Sequence, residues 1–286
     1  MSFHQILFPV DFSDRSVAAA RYVGAMAALC RAKIALVHAV EGPLKWRGSP
    51  NPIKVVEVDL PRALRESEEC LERFADTHLA KQDVTIAVEI AVPLELIEKR
   101  AHAVDADLIM MPTHGRGRFR AVLLGSVTAK VLHDLAIPVW TDTHQEVSEY
   151  HWPIKKLACA IDLGPESANV LRFAADFANH CGAEMFIAHG LPLAEMTLGP
   201  YRKIEPPAYM EDFARTAIEG LQREAGTSVE VCVENDPIAS ALRNTALRHS
   251  ADLVVTGRGA ISHPMGRLAA HVYSIIREAP CPVLSL

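Results

Sequence analysis

From position 112 the chain reads Pro-Thr-His-Gly-Arg-Gly-Arg-Phe-Arg-Ala-Val-Leu-Leu-Gly-Ser-Val, with nine residues between Gly115 and Gly125. A glycine amide can approach a phosphate oxygen closely because no Cβ stands in the way, and Ser126, at the expected start of a helix, adds a hydroxyl donor. This is anion-binding chemistry. His114 and Thr113 are candidates for a contact to the same anion, and Thr113 could equally end a strand. Arg116, Arg118 and Arg120 alternate along the loop, where a solvated rim competes with a phosphate contact. Asp11 closes the apolar run Ile6-Leu-Phe-Pro-Val. There it suits a ligand contact, with a turn cap as the competing role. His38 and His189, flanked by aliphatic residues, read as hydrogen-bonded core histidines.

Other chemistries lack their residues. Neither H-x-G-H nor S-G-G-x-D-S occurs, and there is no Walker A lysine, so fast phosphoryl or nucleotidyl transfer has no evident apparatus. The thirteen histidines form no H-E-x-x-H pair and the six cysteines no C-x-x-C, so no metal site is expected. The cysteines read as reduced, buried small hydrophobes. A net charge of −6 argues against nucleic acid or an anionic membrane as partner. No apolar run is long enough to span a bilayer. Pro9 and Asp11 interrupt the first apolar stretch too early for a signal peptide, so the cytoplasm is the expected compartment.

The elements that must position the loop appear twice. Asp11 and Asp162 lie 151 residues apart, as do His38 and His189. Val92-Pro93 matches Asp236-Pro237, Ala106-Asp-Leu108 matches Ala251-Asp-Leu253, and Ala136-Ile-Pro138 matches Pro280-Cys-Pro282. Ordered landmarks at domain spacing mean duplication. Each repeat alternates short aliphatic runs with longer periodic segments, which predicts β-α-β units and an α/β fold of two tandem doubly wound, five-stranded parallel-sheet domains. In repeat one the strands are expected at Gln5–Asp11, Ala32–Val40, Val84–Ile90, Leu108–Met111 and Val139–Asp142. The helices are expected at Arg15–Arg31, Arg62–Leu79, Leu94–Ala103 and Ser126–Leu135, with Ser13 and Asp14 as N-cap candidates for the first. Periodicity lapses over Thr143–Trp152, which places the domains at 1–146 and 153–286. Two proline-rich segments, Glu41–Asp59 with Trp46 and Leu191–Pro207, are longer than usual strand-to-helix loops and suit a lid or an excursion.

These motifs resemble the universal stress protein family, whose nucleotide loop reads G-x-x-G, nine residues, then G-S or G-T. The resemblance covers nearly the whole chain twice and includes Ile6-Leu-Phe-Pro-Val-Asp11-Phe-Ser, Leu36-Val-His38-Ala39, Asp107-Leu-Ile-Met-Met and Ile137-Pro-Val. It implies a Rossmann-like fold related to the adenine nucleotide alpha hydrolases and a first domain that holds ATP, with or without Mg2+. Asp11 would lie near the ribose, the backbone at Ala39 near the adenine, and Gly115, Gly125 and Ser126 at the phosphates. The implied site comprises Pro9, Val10, Asp11, Ala39, Met111, Thr113, His114, Gly115, Arg116, Gly125, Ser126 and Val127. Pro112 replaces the pattern's first glycine and removes one amide donor.

Repeat two keeps Gly257-Arg-Gly259 but has Ala269-Ala270 where Gly125-Ser126 stands. The hydroxyl is lost, and Ala269 disfavours a positive-φ backbone that glycine permits. Arg258 could supply charge to a ligand or fill the pocket, and weak or no binding is expected in this half. The expected function is stress-response binding of ATP or another adenine nucleotide, acting through conformation or partner contacts. A nucleotide-free interaction scaffold is the alternative, and slow ATP hydrolysis or phosphotransfer ranks behind both. The family's edge-to-edge pairing of closing strands implies an intramolecular pseudo-dimer through Pro138-Val-Trp-Thr and Pro282-Val-Leu-Ser-Leu286, and a homodimer of chains is compatible with the sequence.

Overall fold

The computed structural model describes residues 2–42, 59–115, 124–143, 151–191, 208–258 and 267–286. The first repeat runs β1 (Gln5–Pro9), α1 (Asp14–Cys30), β2 (Lys33–Val40), α2 (Leu60–His78), β3 (Val84–Ile90), α3 (Pro93–Ala103), β4 (Leu108–Met111), α4 (Ser126–Asp134) and β5 (Val139–Thr141). The second runs β6 (Lys156–Ala160), α5 (Ser167–Cys181), β7 (Glu184–Gly190), α6 (Ala208–Ala225), β8 (Glu230–Glu234), α7 (Ile238–His249), β9 (Leu253–Thr256), α8 (Arg267–Glu278) and β10 (Val283–Ser285). Most of the two long proline-rich segments lies outside the described residues.

Helix starts follow local chemistry. Ser13 caps α1 by accepting from the Ser16 amide, and Asp59 caps α2 by accepting from Arg62 N at 3.1 Å. Proline in the first turn of α2 and of α3 needs no hydrogen-bond partner, so both helices begin slightly before the predicted positions. Strand β1 ends at Pro9, two residues short of the expected Asp11. Val10 N still donates to Val37 O, but Phe12 adopts φ 59°, which turns the chain out of the sheet.

The described residues form two compact units. One holds Phe3–Met111 with Gly115, and the other holds Pro112–His114 and the described residues from 124 onward. In the first unit β2 pairs with β3, β1 with β2, and β1 with β4, all parallel. Ile6, Leu7 and Phe8 of β1 are fully buried between the helices on either face, as are Leu108 and Ile109 of β4. In the second unit β10-β9-β6-β7-β8 are parallel neighbours, and β5 joins at β10 in antiparallel register with Trp140 opposite Leu284. The last strand of repeat one thus belongs to the same unit as repeat two.

None of the six cysteines forms a disulfide, and Cys30, Cys159, Cys232 and Cys281 are buried as expected, whereas Cys70 and Cys181 are half-buried. Burial pushes the Cys159 thiol up to about 12, and Cys281 is raised further in the same direction by burial and by Asp252. At neutral pH both are inert core residues.

Candidate functional site

In the first unit, the turn after β1 is organised by the carboxylate of Asp11. Its Oδ1 accepts from Ser13 N at 3.0 Å, Ser13 Oγ at 2.6 Å and Ser16 Oγ at 2.7 Å. Ser16 is fully buried and also accepts from Asp11 N at 3.3 Å. Asp11 therefore builds the turn into α1. Its other oxygen faces Gly115, where an added Cβ would lie 2.1 Å from Oδ2. A side chain at 115 would have to displace that carboxylate from the turn it builds.

The second repeat repeats the turn. Asp162 Oδ1 accepts from Gly164 N at 2.8 Å and Ser167 Oγ at 3.1 Å, and Leu163 takes φ 60° where Phe12 has 59°. The Asp-to-Ser spacing of five residues in both halves was the sequence signal for this turn, and sequence reasoning passed over it.

His38 and His189 have the structural role expected of them. The Nδ1 atoms lie 2.7 Å from Val10 O and 2.9 Å from Ile161 O, so each ring donates to the backbone at the end of the neighbouring strand. Burial holds His189 below the ordinary histidine range, outweighing its backbone bond and Asp162. The His38 ring also lies 4.5 Å from that of Phe12. Phe12 in turn lines a shallow recess with Cys70, Arg73, Phe74, Thr77 and His78 of α2. Sequence reasoning did not single out this aromatic recess, because its helical wall lies far along the chain. Pro9 and Val10 sit where β1 meets β2, and Ala39 pairs with Glu89 of β3.

In the second unit, the loop after β4 is held against α4. Gly125 N donates to Thr113 O at 2.8 Å, and Thr128 Oγ1 donates to Pro112 O at 3.1 Å. A Cβ at Gly125 would come within 3.1 Å of His114 Cα and 3.2 Å of Thr113 O. Gly125 has φ −58°, so the positive-φ argument for this glycine does not hold and close backbone approach takes its place. Thr113 and His114 are buried, with Oγ1 and Nδ1 3.1 Å apart. Met111 is buried as well, whereas Ser126 is exposed and Val127 half-buried at the start of α4. Gly125 gives α4 no side-chain cap. The first amides of a helix without a capping side chain, together with the positive end of its dipole, suit an anion. Arg116 lies outside the described residues.

Arg258 takes neither of the roles expected of it. Its guanidinium donates to Leu132 O, Leu135 O, Ile137 O and Leu286 O at 2.6–3.1 Å. It therefore clamps the carboxyl end of α4, where a cation also meets the negative end of the helix dipole. Burial pushes its pKa down to about 10, which leaves it charged at neutral pH. Tyr273 of α8 donates to Ala129 O of α4 at 3.0 Å. No helix among the described residues is long and apolar enough to cross a membrane.

Comparison with known proteins agrees with this architecture. The pattern described as the Universal stress protein family matches residues 2–141 and again residues 153–286. A universal stress protein of Methanocaldococcus jannaschii is 28% identical over 152 residues, covering 48% of this chain and 93% of the relative. A universal stress protein crystal structure from Archaeoglobus fulgidus superposes with a TM-score of 0.71 at 22% identity, covering 98% of this chain and 97% of that one. A universal stress protein solved in complex with cAMP is 21% identical, covers 46% of this chain and 96% of its own, and has a TM-score of 0.35.

Proposed function

Because this chain belongs to the universal stress protein family in both of its halves, we propose that its first repeat binds ATP and that the bound nucleotide acts through conformation or partner contacts. The observation that carries this reading is the start of α4. Gly125 and Ser126 open the helix without a side-chain cap, and this leaves its amide end and an exposed hydroxyl suited to phosphate. The close approach of Asp11 to Gly115 supports the same repeat. On this reading Asp11 contacts the ribose, the Ala39 backbone the adenine, and Gly115, Gly125 and Ser126 the phosphates. Pro9, Val10, Met111, Thr113, His114, Arg116 and Val127 form the surrounding wall.

The second repeat is the weaker binder. Ala269-Ala270 replaces Gly-Ser there, and Arg258 is engaged with four backbone carbonyls. Those contacts and the β5–β10 pairing support a pseudo-dimer of the two repeats, domains 1–146 and 153–286, in which two sheet edges cover each other. The cytoplasm is the compartment that suits an ATP-responsive protein with six cysteines and no disulfide.

A nucleotide-free scaffold is the second reading. It is favoured by Asp11, whose Oδ1 already takes three donors from its own turn. Thermal unfolding with and without ATP and Mg2+ separates the two. Nucleotide at 100 times its Kd should add about 2.7 kcal/mol of stability, and Ser126→Ala should reduce the shift at a fixed ATP concentration. An unchanged melting temperature at millimolar ATP would support the scaffold.

A further inference from the structure

Strand β8 is the outermost strand of its sheet, and it carries Glu230 and Cys232 on the same face, two residues apart. The last turn of α7 brings His249 to them. His249 Nε2 lies 3.5 Å from Cys232 Sγ, and His249 Nδ1 lies 3.9 Å from Glu230 Oε2. Among the described residues these three make a group in which one ligand atom from each lies within 4.8 Å of the others.

We propose that Glu230, Cys232 and His249 bind a borderline divalent cation of the zinc class, leaving one coordination position for water. The donor set is one thiolate, one imidazole and one carboxylate, which suits a cation softer than Mg2+ or Ca2+. The 3.5 Å between sulfur and nitrogen is the edge expected of a tetrahedron with bonds of about 2.3 Å to sulfur and about 2.0 Å to nitrogen. The ring plane is set beforehand, since His249 stacks on Phe186 with centroids 4.5 Å apart and an interplanar angle of 29°. Cys232 is buried while the Glu230 side chain is 65% exposed, so the cation would enter from the carboxylate side.

Charge favours the same occupant. Arg248 and Arg215, whose fields reach Cys232, are each paired with another carboxylate: Arg248 with Glu234 at 2.7 Å and Arg215 with Glu211 at 2.8 Å. When the cation binds, the Cys232 proton leaves to solvent and bound waters are displaced. The thiolate and the Glu230 carboxylate then balance its two charges. Cys232 and His249 are seventeen residues apart on a strand and a helix. No short ligand motif spans that gap, so residue spacing alone does not reveal the group.

The test uses the reduced, metal-stripped full chain, titrated with Zn2+ against a chromophoric chelator and separately with Co2+. The expected result is one Zn2+ per chain and a thiolate-to-cobalt charge-transfer absorption. Cys232→Ser and His249→Gln should each weaken Zn2+ by at least about tenfold, the low end for even an outer-shell partner, and Cys232→Ser should abolish the cobalt band. Cys70→Ser and Cys181→Ser, which change half-buried cysteines elsewhere, should leave both signals intact. If Cys232→Ser fails to fold by circular dichroism, His249→Gln and Glu230→Gln decide the matter. Absence of Zn2+ binding, or binding unchanged in His249→Gln, overturns the site and makes the sulfur–imidazole contact a buried hydrogen bond only.

Discussion

The residues Asp11 and Gly115 constrain each other: a methyl group at 115 would overlap the Asp11 carboxylate. Gly115→Ala is expected to cost about 2 kcal/mol of stability in urea unfolding, in the range of other overpacking substitutions. In an Asp11→Ala background, which itself loses the hydrogen bonds of the turn, the same Gly115→Ala substitution should cost much less, and additive losses in the double variant would contradict the contact. His189 sets a pH dependence. Burial lowers its proton affinity in the folded state below the ordinary 6.5, so the unfolded chain binds more protons in the window between the folded value and 6.5. Stability is then full above that window and falls on acidification through it, and His189→Gln should flatten the profile of melting temperature against pH. Asp11 and Gly115 could each be picked out from type and position. Their mutual contact could not, because the two residues are about a hundred positions apart and nothing in their types pairs them.

At the scale of elements, the strands and helices of repeat one were legible to within two residues, since apolar runs alternating with periodic segments set both ends. The end of β1 was misplaced because Val10 continues the pairing with β2 while Phe12, at positive φ, already leaves it. Helix starts shifted wherever proline could occupy the first turn. Arg258 was legible as a charge in a loop, but its partners in α4 and beyond are more than 120 residues away in the chain. Its four carbonyl contacts make it a clamp on α4, so Arg258→Met should cost on the order of 3 kcal/mol, the scale of lost charge-assisted bonds that leave buried carbonyls unpaired. Chemical denaturation measures this. A loss within about 0.5 kcal/mol would assign Arg258 to the ordinary surface class.

Across the whole molecule the duplication was visible from landmarks repeated in one order, and the fold class from the alternation of aliphatic runs and periodic segments within each repeat. What the repeat could not disclose was how β5 is shared: its antiparallel pairing with β10 places it in a compact unit with the second repeat. The two halves share the Asp–Ser turn and the strand-end histidine, whereas only the first keeps Gly-Ser at the helix start. The fold is thus common to both halves, and the proposed ligand chemistry belongs to the first. Native mass spectrometry of the freshly purified full chain, with and without added ATP and Mg2+, tests this most directly. One adenine nucleotide per chain is expected, lost in the Gly125→Ala and Ser126→Ala double variant. No nucleotide at any ATP concentration, or two bound per chain, would contradict it.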